Sequence, residues 1–559
     1  MISRWKVALI SSIVFGFASS TGSNAATIRS ANYAGSHVLP ASQLARGSYL
    51  KSGAAFSDSL LSLEVNRIDS LYFSRGYLAV DIDADTSSSR GGITVLFTVH
   101  EGEATTVGKI SVSGAESIGD EAAAKLIRPG RGERFDPFAL GRSLSALLVL
   151  LNQSGYPFAQ VWLTGFSYSR ERNEVDIAVS VAEGDRARIS HVTFEGITKT
   201  DSAVALRTSR LKLGTTYREG GIAAARDYIR ASGYFESVGE ARVERRSGGA
   251  VEVTFPVKDI PRANLFQGAF GFSRTDRGNY VLNGAVELEL RNIAGTGRNA
   301  HFDWLNNGEN YSDLNLRFRE PFVFSTPMSL EAELSQVIQD SVYIWYSGGL
   351  YAGFPLGPGV SIVAGAAADR NVPDNGPLVR SVRERFRLGF ERKPSDRFGV
   401  AFHVEGAHRK SYFRGNRTET DGQLLYDVQS EMETSAFGDQ TFFVRVVSRG
   451  VFSTGNVPLA EMFPLGGATT LRGYRENQFR GEKIAFANLE YRIGAGGWLF
   501  LFDDVGAFWR RDEGAVGKNG AGFGLRAASP VGTVVLSFAV GERFSLEDTL
   551  IHIVLSEKF

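Results

Sequence analysis

From about Ala263 to Phe559, apolar and charged residues alternate one for one in segment after segment, with almost no helical periodicity. Val286, Leu288 and Leu290 alternate with Glu287 and Glu289, and Leu314, Leu316 and Phe318 with Asn315, Arg317 and Arg319. Leu330, Ala332 and Leu334 alternate with Glu331 and Glu333 in the same way. A period of two is that of a strand with unlike media on its two faces. Charges at such regular intervals would be costly in a two-sided core, but they fit a sheet with lipid on one side and a watery lumen on the other. A soluble β-sandwich alternates similarly, so the pattern alone leaves both architectures open. The number of such segments, together with 63 glycines and 39 phenylalanines, favours the membrane.

The N-terminus points the same way. Arg4 and Lys6 precede a mostly apolar run from Val7 to Ala18, and Ser23 and Ala25 supply small residues at the −3 and −1 positions of a cleavage site. Residues 1–25 are therefore expected to be a secretory signal peptide. Beyond them no apolar run approaches the roughly 18 residues of a spanning helix; the longest, Leu144 to Leu151, reads as part of a buried helix. An exported chain without spanning helices crosses a membrane only as a closed barrel. Cysteine is absent, which excludes both a lipoprotein anchor and a disulfide framework.

Between residues 27 and 261 a pattern recurs. Arg75-Gly76-Tyr77, Ser154-Gly155-Tyr156 and Ser232-Gly233-Tyr234 stand 79 and 78 residues apart. Upstream of each comes a matching segment: Gly53-Ala54-Ala55-Phe56, Gly132-Glu133-Arg134-Phe135 and Gly214-Thr215-Thr216-Tyr217. In the second copy, Leu140, Leu144, Leu147, Leu148 and Leu151 form one apolar helical stripe. After each Gly-Tyr come two alternating stretches, such as Val175 to Val181. Each unit reads strand, two helices, two strands, although the first copy lacks a convincing opening strand near Ile28 to Tyr33. The expected boundaries are 26–106, 107–187 and 188–261, with the barrel at 262–559.

This unit resembles the polypeptide-transport-associated (POTRA) domain, and the second half resembles the barrel that follows it in the outer-membrane assembly-factor superfamily of BamA, TamA and the two-partner secretion transporters. Pro464 to Tyr474 ends in Leu471-Arg472-Gly473-Tyr474, similar to the family's lumen loop. Phe502-Asp503-Asp504-Val505-Gly506 is similar to its Phe-x-Asp-x-Gly strand, and Asn292 to Arg298 to its first periplasmic turn. The resemblance implies 16 strands, about 19 residues for each strand with its loop, which accommodates spans of about 9–11 residues. It also implies that Arg472 folds into the lumen and pairs with Asp504; Glu490, inward-facing by alternation in Leu489-Glu490-Tyr491-Arg492, is the second expected partner. The last strand, carrying Leu555 and Phe559, is similar to the terminal signal of outer-membrane barrels, with Glu557 departing from its apolar face.

Three repeats are closest to TamA; BamA-type members usually carry five, and two-partner secretion transporters two, preceded by a plug helix. The function so implied is non-enzymatic assembly or translocation of outer-membrane or autotransporter proteins. The repeats, in the periplasm, would bind extended clients at strand edges such as Ile93 to Val99 or Val251 to Val257. The barrel would open laterally where the strand from Leu265 meets the strand ending at Phe559. Expected partners are unfolded client proteins, a TamB-type inner-membrane-anchored protein and outer-membrane lipid. With 61 basic and 61 acidic residues, no net field recommends nucleic acid. A passive porin-like channel and an outer-membrane hydrolase are the rivals of other classes. No cofactor, metal or catalytic residue is expected. His403 and His408 fall on opposite faces of a strand, Gly520 to Gly524 precedes a strand turn and not a helix, and no nucleophile elbow is present.

Overall fold

The computed structural model describes residues 27–559 apart from 90, 262–263, 275–279, 307–310, 396–397, 495–496, 530–531, 543–548 and 559. The expected signal peptide and Phe559 lie outside the described residues. The chain forms two compact units, one up to Arg186 and one from Ala187.

The first unit holds two copies of one motif. The first copy is β1 (Ile28–Ala34), α1 (Ala41–Ala45), α2 (Asp58–Phe73), β2 (Asp81–Ser89) and β3 (Gly92–His100). The second is β4 (Thr106–Ser113), α3 (Asp120–Leu126), α4 (Pro137–Ser154), β5 (Gln160–Ser169) and β6 (Glu174–Ala182). Helix α4 shows why the sequence folds this way. The Asp136 carboxylate accepts from the amides of Phe138 and Ala139, proline occupies the first turn, and Gly155 ends the helix in the left-handed conformation. Its stripe packs Leu140, Leu147 and Leu151 against Val175, Ile177, Val179 and Val181 of β6. Phe73 of the first copy meets Phe135 and Phe166 of the second, with ring centroids 5.7 and 6.2 Å away.

The second unit begins with a third copy, β7 (Arg188–Glu195), α5 (Ser202–Ser209), α6 (Glu219–Ala231), β8 (Phe235–Val238), β9 (Arg242–Arg245) and β10 (Ala250–Asp259). Two sequence expectations need correction. The first copy does have an opening strand, β1, which pairs in parallel with β3. The last strand of each copy is not an edge: the orders are β1-β3-β2 and β4-β6-β5, and β10 lies between β7 and the β8–β9 side. These strands are the most apolar, so burial on both flanks places them in the middle. The opening strand is covered at its start. The segments that recur upstream of each helix lie along it, with Gly53 and Ala54 bonded to Ile28, Gly132 and Glu133 to Val107, and Gly214 and Thr215 to Ile189. Among the described residues, the second strands β2 and β5 end their sheets, as the β8–β9 side does in the third copy.

A second device recurs in all three copies. Gly35, Gly114 and Gly196 follow the opening strands at positive φ and lie so close to the carbonyls of Val99, Val181 and Val257 that a Cβ would collide. Two residues past each valine, an acid receives amides of the adjoining turn. Glu101 accepts from His37 and Val38, Glu183 from Ser117, and Asp259 from Thr198 and Lys199.

The rest of the second unit is a closed barrel of 16 antiparallel strands. These begin with β11 (Leu265–Arg274), β12 (Tyr280–Leu290), β13 (Asn299–Asn306), β14 (Tyr311–Glu320), β15 (Ser329–Gln339), β16 (Tyr343–Gly357) and β17 (Val360–Pro373). They continue with β18 (Leu378–Ser395), β19 (Phe398–Phe413), β20 (Thr418–Ser435) and β21 (Thr441–Ser453). A small hairpin, β22 (Phe463–Leu465) and β23 (Phe479–Gly481), interrupts the series before β24 (Lys483–Ile493), β25 (Leu499–Arg510), β26 (Gly514–Ser529), β27 (Gly532–Val540) and β28 (Leu550–Lys558). The polarity is inverted relative to a soluble core: Phe386 and Leu388 outside are 69% and 63% exposed, while Asp369 and Arg383 inside are 2% and 6%. The turn between β12 and β13 docks on the third copy. There Asn292 donates to the Thr200 hydroxyl at 2.8 Å, Thr200 donates to Asp259 at 2.6 Å, and the Tyr234 hydroxyl donates to the Gly297 carbonyl at 3.2 Å.

Candidate functional site: the lumen loop and its walls

The connection between β21 and β24, residues 454–482, turns inward from the barrel rim away from the third copy. Its tip is held by Arg472, which is 5% exposed. The guanidinium forks onto Asp504 of β25: Nε donates to Oδ2 and Nη2 to Oδ1, both at 2.8 Å, and the Arg472 amide adds a third bond to Oδ2 at 3.0 Å. Nη1 donates to Glu490 of β24 at 2.8 Å. The Phe502 ring lies 3.7 Å from the guanidinium carbon, a cation–π contact. Asp504 is fully buried, and the preceding Asp503 faces outward by strand alternation.

The rest of the motif is seated as firmly. Leu471 and Leu465, both fully buried, join Tyr474, Phe486 and Phe508 in an apolar cluster inside the barrel. The Tyr474 hydroxyl donates to the Asn519 carbonyl of β26 at 2.9 Å, and the Gly473 amide donates to His552 Nε2 of β28 at 3.2 Å. Asn488 donates to the Thr470 carbonyl at 2.8 Å. Gly520 on β26 is where the loop backbone presses closest: a Cβ there would collide with the Arg472 carbonyl. A cavity of 510 Å³ remains beside the tip, lined by Arg472, Glu490, Arg445, Thr469, Asn488 and Gln429.

The structure thus brings Leu471, Arg472, Gly473, Tyr474, Asp504 and Glu490 together. Leu555 is elsewhere, in the last strand opposite Val534. Two groups escaped the reading of the sequence. The first is the glycine run of β26: Gly520 makes room for the loop backbone, and Gly522 and Gly524 for the Phe502 and Phe500 rings of the neighbouring strand. The second is a charged set at the loop's other limb, around Glu461. Its Oε2 accepts from Arg383 Nη1 at 3.2 Å, Arg409 Nη1 at 3.1 Å and Gln423 Nε2 at 3.1 Å. The alternation of Arg383, Arg385 and Arg387 on one strand face was the available signal.

Tandem strand–helix–helix–strand–strand repeats leading into a 16-strand barrel, with a loop pinned inside by arginine, define an outer-membrane barrel protein with N-terminal periplasmic repeats. Residues 396–559 match the Omp85 superfamily domain, and residues 26–102, 105–184 and 187–259 match the POTRA model, described as a surface antigen variable number repeat. The chain belongs to the outer-membrane assembly-factor superfamily. It is 23% identical over 551 residues to the outer membrane protein assembly factor BamA of Nitratidesulfovibrio vulgaris, covering 90% of this chain and 68% of that one. A Treponema pallidum relative is 22% identical over 314 residues, 55% of this chain; the chain spans only 37% of that relative's length. Among solved structures, CdiB from Escherichia coli matches over 91% of this chain and 100% of its own, at 13% identity and a TM-score of 0.50, a likeness of fold. The barrel accordingly lies in the outer membrane and the repeats in the periplasm, which puts the rim beside the third copy on the periplasmic side.

Proposed function

We propose that this protein is a TamA-like factor that inserts or translocates β-barrel or autotransporter proteins at the outer membrane, without chemistry of its own. The observation that carries the reading is the seam. Strands β11 and β12 are registered over ten pairs, whereas among the described residues β11 meets β28 at two, Leu265 opposite Lys558 and Phe266 opposite Glu557. A barrel normally leaves no edge, and a junction so lightly paired is the least costly place to open one. An opened edge templates an incoming strand through main-chain bonds. The free edges of β2 and β5 in the repeats offer clients the same kind of bonding before they reach the barrel.

The names of its relatives support the outer-membrane assembly class without separating TamA-like, BamA-type and two-partner secretion roles. Three repeats favour the TamA-like role. Its partners would be unfolded outer-membrane or autotransporter proteins, a TamB-type inner-membrane-anchored protein and outer-membrane lipid. The rival reading as a passive channel is disfavoured by the loop, which crosses the lumen and is fixed there by buried charges. The test is reconstitution of the full chain in liposomes with an unfolded outer-membrane barrel as client. Insertion is read as folded, heat-modifiable client. Steady open-channel conductance with no gain in client folding over empty liposomes would favour the channel.

A further inference from the structure

The loop is held by charge at two places, and the second has the opposite polarity to the first. At the tip, a loop cation, Arg472, meets wall acids. Eleven residues earlier, a loop acid, Glu461, meets wall cations. The wall around Glu461 presents four guanidiniums, Arg383, Arg385, Arg387 and Arg409. They are paired with three wall carboxylates, Asp369, Glu405 and Asp421. The fourth carboxylate comes from the loop. The side chains of Glu461 and Asp369 are 0% exposed and that of Arg409 is 4%. Each guanidinium touches a wall carboxylate, but three carboxylates serve four buried cations, and Glu461 of the loop brings the negative charge level with the positive. Arg409 also reaches the loop backbone, donating to the Asn456 carbonyl at 2.5 Å.

The two sets stand on different parts of the wall. Glu461 is bound by β18, β19 and β20 through Arg383, Arg409 and Gln423, whereas Arg472 is bound by β24 and β25, with Gly473 and Tyr474 reaching β28 and β26. The loop is stiffened by pairing of β22, which follows Glu461, with β23, which comes after Arg472. We propose that Glu461 is a positioning residue that anchors the loop independently of Arg472. The loop is then a strut bracing the β18–β20 wall against the closing strands β24–β28. Either anchor alone retains the loop in the lumen, because a chain tethered at one end returns to the other at high effective concentration. This concerns retention of the loop, and its test does not depend on what the protein assembles.

The full-length protein, which has no native cysteine, is reconstituted in liposomes carrying one nitroxide label, at Leu459→Cys beside the acid anchor or at Thr469→Cys beside the arginine. Glu461→Gln is expected to mobilise the Leu459 label several-fold and leave the Thr469 label fixed, with Arg472→Ala doing the reverse. The double variant frees both and raises single-channel conductance above the sum of the two single effects. Arg409→Gln, which retains Arg383 and Gln423 around Glu461, serves as the second route to the same result, and heat-modifiable migration confirms a folded barrel. Glu461→Gln and Arg409→Gln leaving both labels unchanged, or mobilising both labels equally, would overturn the two-anchor assignment.

Discussion

At the scale of single residues, the candidate site is a set of buried charges whose partners are fixed by strand alternation. Arg472 makes two parallel bonds to Asp504, a geometry that suits the planar guanidinium and that lysine cannot reproduce. Breaking such a buried pair from one side typically costs about 3–5 kcal/mol, since the other charge is left uncompensated. Arg472→Ala and Asp504→Asn should therefore each destabilise the loop, and the double variant should be little worse than either. A double-mutant cycle on urea unfolding should give a coupling close to the single loss itself, about 3 kcal/mol. Strictly additive losses would show that the pair does not act as one. Gly520→Ala is expected to loosen the loop without touching a charge, because its methyl would meet the Arg472 carbonyl; limited proteolysis of the loop measures it. Arg472, Asp504 and the flanking Gly-Tyr were legible in the sequence because they lie in contiguous motifs, and Glu490 because strand alternation turns it inward. Glu461 was not, since Arg383, Arg409 and Gln423 are 78, 52 and 38 residues away from it. Only the barrel's register brings them together.

At the scale of elements, the period of the repeats and the type of most segments could be read from spacing and alternation, but not the opening strand of the first copy or which strand lies at the edge. Strand β3 reads as the best strand of its copy because it is more apolar than β1 or β2, and that same property puts it between the two. If clients add to the repeats, protection from hydrogen exchange should appear on the amides of Asp81–Ser89 or Gln160–Ser169 when an unfolded barrel segment is added. Unchanged exchange along both strands would remove β-augmentation from the mechanism. The acid that closes each copy gives a second expectation. Burial alone would raise the Glu101 carboxyl, but the Tyr72 hydroxyl and the amides of Val38 and His37 outweigh it and hold it below the ordinary glutamate range. A depressed carboxyl adds stability that is present above its unfolded value, about 4.3, and is lost as pH falls through the lower folded value. Glu101→Gln should therefore destabilise the first copy at neutral pH and lose that disadvantage in acid. Protection of the amides of α2 and β3, compared with the unmodified chain at each pH, reads this directly.

At the scale of the whole molecule, the proposed activity needs a barrel that is rigid almost everywhere and weak at one place. The loop braces the closing strands from inside, the third copy holds the β12–β13 turn from outside the membrane, and most strands are paired along their length. Against this, among the described residues β11 and β28 meet at Leu265 with Lys558 and Phe266 with Glu557. That a barrel would close between these strands follows from the sequence, but the thinness of the junction does not, because register is a property of the closed sheet. A disulfide introduced between Phe266→Cys and Glu557→Cys joins two residues directly opposite in register, and the absence of native cysteine leaves it no competing partner. The oxidised protein should stay folded, with unchanged heat-modifiable migration, and should lose client insertion in liposomes by an order of magnitude or more. Adding reductant should restore insertion to the level of either single variant. The same cysteines placed at Gln267 and Glu287, opposite one another across β11 and β12, should have no effect when oxidised, since nothing is proposed to open there. Full insertion with the seam quantitatively crosslinked would exclude lateral opening, and clients would then have to cross or insert by a route that leaves β11 and β28 paired.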